Sequence, residues 1–239
     1  MSIDSKRLAD NLASVHDRMA AACGRAGRDV SEVSLVAVTK SVDVDVIREL
    51  VLLGQTDIGE SRVQQLTQRA ADEGIVAAAA QVGQPVHWHM VGHLQRNKVK
   101  ACLAVGGMIH SIDSLRLAEE INTRAAQADL SVECLLEVNT SDEPQKNGVA
   151  VGAATHLAEQ ICTLGNLRLT GLMTMAPLTD HLDDARHCFV RLRELFEEMR
   201  GEKIGGPDFR HLSMGMSNDF EVAIEEGATL VRVGTALFA

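Results

Sequence analysis

Apolar residues near the start of the chain recur at three- and four-residue spacing. Leu8, Leu12, Val15, Met19 and Ala22 fall on one face of a helix predicted over residues 1–27, and Gly24 and Gly27 end it. From Ser34 onward the pattern changes. Short runs rich in Val, Ile and Leu stand at 34–40 (SLVAVTK), 56–60 (TDIGE), 86–92 (VHWHMVG) and 108–113 (MIHSID). They continue at 132–140 (VECLLEVNT), 167–176 (LRLTGLMTMA), 209–215 (FRHLSMG) and 230–238 (LVRVGTALF). Each of the first seven is followed by a helical pattern, as in DVDVIRELVLLG and DDARHCFVRLRELFEEMR. Eight such units, the last ending on its strand, predict a single-domain (β/α)8 TIM barrel over residues 1–239, with helix 1–27 packed on it. An open doubly wound sheet also alternates strand and helix. It would normally carry a Gly-rich turn after its first strand, and Thr39-Lys40-Ser41-Val42 is nothing like one.

Composition narrows the function classes. The 239 residues carry 23 basic and 33 acidic side chains, a net charge of -10, which makes a poor partner for phosphate backbones. With 3% aromatics, one Trp and no Tyr, a base-stacking surface and a tyrosine base are both disfavoured. The five cysteines form no CxxC pair, so a reducing cytoplasm fits better than a disulfide framework or a zinc ribbon. No apolar run approaches the ~20 residues of a membrane helix. A cytoplasmic monomer is expected.

In a barrel of this kind the site lies at the C-terminal strand ends. Alternation puts Val36, Val38 and Lys40 on one face of the first strand, so Lys40 would reach the barrel mouth. A partly desolvated lysine there has a lowered pKa and attacks carbonyls; the plainer alternative is a solvated lysine at a strand end. Ser213-Met214-Gly215-Met216-Ser217 ends strand seven, and Arg232-Val233-Gly234-Thr235 lies in strand eight. Loops at these positions commonly hold a phosphate, with Gly215 and Gly234 admitting close backbone approach and Ser217 and Thr235 offering hydroxyls. Ordinary turn chemistry is the alternative. Arg232 either faces a cofactor ring nitrogen or forms a buried ion pair with Glu60 or Glu137. His87, His89 and His93 form HxHxxxH, a metal pattern that His110, Asp113 and Glu137 could extend, although His93 lies past the strand and no metal site is assigned. Lys146 reads as a loop lysine.

With these residues in view, the chain resembles the pyridoxal phosphate homeostasis protein family, also called proline synthase co-transcribed proteins. The matching stretches are VAVTK, DIGESRVQ, HWHMVGHLQRNK, SIDS, EVNTSDEPQKNGV, GLMTMAP and LSMGMSNDFEVAIEEGATLVRVGTALF, nearly the whole chain. The resemblance implies a barrel like the N-terminal domain of alanine racemase, with pyridoxal 5'-phosphate (PLP) held as a Schiff base on Lys40. It implies a phosphate cup at Ser217, Gly234 and Thr235 with Ser213 and Met214 close by, and Arg232 facing the pyridine. Ser61 stands where the family usually has Asn, and the chain ends at Ala239 where the family usually continues from Gly. The implied role is to hold PLP and hand it to PLP-dependent apoenzymes without turnover. The alternative is a PLP-dependent amino-acid racemase. Racemisation needs acid/base groups on both faces of a planar carbanion, and racemases of this fold supply the second from a tyrosine in a further domain, for which this chain has neither tyrosine nor spare residues.

Overall fold

In the computed structural model the structure describes residues 3–177 and 182–239, so the first two residues of the predicted N-terminal helix lie outside the described residues. Helix α1 (Ser5–Ala26) begins at an Asp4 cap that accepts the Arg7 N–H, and stops at Gly27 in the left-handed conformation (φ 65°). Leu8, Leu12, Val15, Met19 and Ala22 are all buried on its inner face, each contributing about 1.5–3 kcal/mol for a full-sized apolar side chain. That face packs against the last two helices of the chain. Arg18 pairs with Glu221 and lies over the Phe220 ring, and Asn11 donates to the Leu237 and Ala239 carbonyls.

Eight parallel strands close into a barrel: β1 (Ser34–Val38), β2 (Asp57–Glu60), β3 (His87–Met90), β4 (Met108–Ile112), β5 (Val132–Asn139), β6 (Leu167–Met173), β7 (His211–Ser213) and β8 (Leu230–Val233). Each pairs with the next, and β8 returns to β1 with Val36 opposite Arg232. Between them run α2 (Val44–Leu52), α3 (Val63–Ala70), α4 (Glu73–Val82), α5 (Val99–Leu103), α6 (Leu115–Gln127), α7 (Val151–Cys162), α8 (Leu182–Gly201) and α9 (Phe220–Glu225). The two-residue segment Val149–Ala150 adds a short pairing beside the end of β5.

The alternation of each strand sorts its side chains. Leu35, Ala37 and Ile58 face the helices and join the large outer core, while Val36, Met108, Leu135, Met173 and Leu230 fill the barrel itself. Gly59 leaves room inside: a Cβ there would stand 2.9 Å from Val36 Cγ1. Two register shifts, in the β4–β5 and β5–β6 pairings, interrupt the simple parity.

One boundary differs from the sequence reading. The apolar run 230–238 is not all strand; β8 stops at Val233 and Thr235–Phe238 forms a final turn of helix, α10. Leu237 and Phe238 bury there against the outer core instead of extending the sheet. No helix among the described residues is long and apolar enough to cross a membrane.

Candidate functional site

The loops at the C-terminal strand ends surround a cavity of about 370 Å³. Lys40, Ser61, Ser217, Arg232, Gly234 and Thr235 all line it. Ser213 and Met214 do not. Ser213 is fully buried beneath Arg232, and Met214 packs into the outer core with its N–H on the Leu230 carbonyl.

Lys40 lies two residues beyond β1, at the rim. The sequence suggested a desolvated amine, but the residue is exposed, because the strand has ended and the chain has begun to turn. No carboxylate among the described residues pairs with it. The backbone around it is fixed from below. Arg69, buried on α3, donates to the carbonyls of Thr39 (3.0 Å) and Val42 (2.5 Å) on either side of Lys40. Its charge is met by Glu60, whose carboxylate also accepts from the Thr39 hydroxyl.

This arrangement also corrects an expected partner of Arg232. Glu60 sits on the outward parity of β2 with Ile58, so it turns toward the helices and pairs with Arg69. Arg232 points into the barrel. Its Nη1 donates to Ser213 Oγ (2.6 Å) and its Nη2 to the Thr174 carbonyl (2.8 Å), with no ion pair to Glu137. Burial lowers its pKa to about 10, against the opposing charges of Glu137 and Asp219, so it stays protonated at neutral pH. Glu137, also inside the barrel, is pushed up to about 7 by burial and by Asp113, with Arg232 opposing.

The far wall is built by the β7 and β8 loops. Ser217 Oγ accepts the N–H groups of Gly234 and Ala236, both at 3.2 Å, tying the two loops together. The backbone N–H groups of Ser217, Asn218 and Thr235 have no acceptor among the described residues, so they offer an oxyanion a set of donors. Gly234 serves the join between strands: a Cβ would stand 3.1 Å from the Val38 carbonyl oxygen. Gly215 is not on the cavity. Its φ of 92° and the close approach of Phe220 and Ala223 make it a turn glycine. Ser61 reaches the wall with Gly92 stacked against its backbone, where a Cβ would fall 2.3 Å from the Ser61 carbonyl oxygen.

Several lining residues were missed by the sequence reading. Val91 and Met175 join the expected Val38 as apolar walls, and Asp219 closes the β7 loop by accepting the Met216 N–H at 2.5 Å. Asp219 was within reach of sequence reasoning, since an Asp directly before FEVAIEE is a helix-start signal. Lys146 donates to the Met175 carbonyl (3.2 Å) and faces Glu143, a tethered loop lysine. The three histidines of HxHxxxH do not converge. His87 is exposed at the N-terminal end, His89 is buried in the barrel, and His93 meets Asp113 near the opposite end. No group of three or more His, Cys, Asp or Glu among the described residues is arranged to hold a metal ion.

A (β/α)8 barrel with a lysine, an anion-receptive loop pair and a buried arginine around one cavity defines the class. Residues 3–239 match the family described as alanine racemase, N-terminal domain. The chain is 40% identical over 230 residues to the pyridoxal phosphate homeostasis protein of Aquifex aeolicus, covering 96% of each chain. Its fold matches the crystal structure of an unknown protein from Bifidobacterium adolescentis with a TM-score of 0.93 and 38% identity, covering 99% of this chain and 98% of that one. PipY of Synechococcus elongatus, solved with PLP bound, matches with a TM-score of 0.78 and 32% identity, covering 97% of this chain and 100% of PipY. The chain belongs to the pyridoxal phosphate homeostasis protein family.

Proposed function

We propose that this protein binds PLP in the cavity at the barrel mouth and hands it on to PLP-dependent apoenzymes, without turning over a substrate of its own. When bound, the cofactor supplies an aldehyde that a primary amine captures reversibly. Lys40 is the amine in this reading. The unpaired N–H groups of Ser217, Asn218 and Thr235, with the two hydroxyls, take the phosphate. Val38, Val91 and Met175 would flank the ring, and Ser61 lines the same cavity. Arg232 donates to the ring nitrogen and, remaining protonated, keeps that nitrogen from gaining a proton, which weakens the ring as an electron sink. Ser213 and Met214 support this wall from behind.

The observation that carries the reading is that an unpaired lysine, an anion-receptive backbone and a protonated arginine share one cavity. The PLP-bound relative PipY and the relatives' shared name support it. A holding role is supported over a racemase by the absence of tyrosine from the chain.

Transfer tests the role. Protein loaded with PLP, freed of excess cofactor and mixed with a PLP-dependent apoenzyme, should restore that enzyme's activity. Protein that binds no PLP, or retains it beside an apoenzyme that free PLP reactivates, contradicts the reading.

A further inference from the structure

Beneath the cavity a chain of buried polar side chains crosses the barrel from β2 to β8. Arg232 Nη1 meets Ser213 Oγ at 2.6 Å, and Ser213 Oγ lies 2.9 Å from His110 Nδ1. His110 Nε2 lies 2.9 Å from His89 Nδ1, and His89 Nε2 lies 3.0 Å from Asp57 Oδ1. Five strands contribute one residue each. Ser213 and His110 are fully buried, and His89 and Arg232 nearly so, while Asp57 reaches solvent at the N-terminal end of the barrel beside His87.

The two ends and the Ser213 hydroxyl together fix the direction of the bonds between them. An arginine only donates and an ionised carboxylate only accepts. Ser213 Oγ accepts from Arg232, which leaves its own proton for His110 Nδ1. His110 must then carry its proton on Nε2 and give it to His89 Nδ1, and His89 donates from Nε2 to Asp57. The opposite order, with a charged His89, would leave the Ser213 hydroxyl proton without an acceptor inside the barrel, which buried polar groups avoid. Burial above all, with the charge of Arg232 adding to it, holds His110 well below the ordinary imidazole range, in keeping with a neutral ring. Burial opposes ionisation of Asp57, but the hydrogen bond from His89, with His87 beyond it, prevails and lowers its pKa.

We propose that Asp57, His89, His110 and Ser213 are positioning residues: a one-directional hydrogen-bond relay that locks the Arg232 guanidinium at the cavity floor. The Thr174 carbonyl holds the other Nη, so the relay and that carbonyl together leave the side chain one orientation. The relay stands whether or not the cavity takes PLP, and goes beyond the binding role proposed above.

Nitrogen-15 NMR of the labelled, ligand-free protein reads the relay without any mutation. At neutral pH both His89 and His110 should be neutral with the proton on Nε2. Finding either ring protonated at Nδ1, or as an imidazolium, overturns the proposal. Ser213→Ala then cuts the relay. It should move the ring signals of both His110 and His89 while leaving exposed His156 unchanged, and speed exchange of the Arg232 side-chain protons about tenfold, as local protection is lost. A purely structural serine would disturb His110 alone. Unmoved His89 signals, or unchanged Arg232 exchange, would show a set of separate contacts and not a relay.

Discussion

Arg69 holds Lys40 in place without touching its side chain. The guanidinium is paired with Glu60 and grips the carbonyls of Thr39 and Val42, so the two residues between them, Lys40 and Ser41, are carried on a braced turn. The brace is wholly internal, with Glu60 fully buried and one of its carboxylate oxygens, Oε2, without a hydrogen-bond partner among the described residues. Removing Arg69 strands that charge. Arg69→Met should therefore cost about 3–5 kcal/mol in chemical denaturation, and Glu60→Gln should also destabilise, since it leaves the buried Arg69 guanidinium without its counter-charge. Equal, small losses would mean that the pair does not carry the turn.

The proposed phosphate site makes a separable prediction. Ser217→Ala and Thr235→Ala each remove a hydroxyl from the anion's surroundings, and each should weaken PLP binding by about 1.5–3 kcal/mol. Pyridoxal, which lacks the phosphate, should lose little. Titrating both ligands against all three proteins checks this, and equal affinity for the two ligands would remove the anion site. A bulky residue at Gly234 should do more damage than either, because a Cβ there already stands 3.1 Å from the Val38 carbonyl oxygen.

Much of this was legible beforehand, and the rest was hidden for identifiable reasons. The face of α1, the inward Val36 and the cavity-lining Val38 follow directly from spacing, because each is decided within one element. The end of β8 was misread because TALF is a short apolar run, and periodicity alone does not separate a buried turn of helix from strand. Glu60 was a plausible partner for Arg232 until its parity on β2 turned it outward. The relay joins residues 19 to 103 positions apart, so it depends on strand register, which no local pattern reports. The HxH spacing that suggested a metal belongs, through His89, to that relay.

Glu137 predicts a pH dependence. Its folded pKa is raised to about 7, so between the ordinary carboxylate range and pH 7 the unfolded chain releases a proton that the folded chain keeps. Stability from this group is therefore intact below about pH 4, falls as pH rises, and levels off above about 7. Glu137→Gln should match the parent at acid pH and exceed it by about 3 kcal/mol at pH 8. A difference that is constant with pH would show that Glu137 titrates alike in the folded and unfolded chain.

Turnover is the expected negative result. With Lys40 as the proposed group on one face and no tyrosine in the sequence for the other, loaded protein incubated with L-alanine in deuterated water should give neither D-alanine nor deuterium at Cα above the rate of free PLP. Both products, abolished by Lys40→Ala, would establish a racemase.

The most direct test of the central claim is covalent. PLP added to the purified protein should produce an imine absorbance band that borohydride abolishes, and peptide mapping should find the reduced cofactor on Lys40, with no band in Lys40→Ala. A band that persists in Lys40→Ala, with the label on Lys146 or another lysine, would contradict the account.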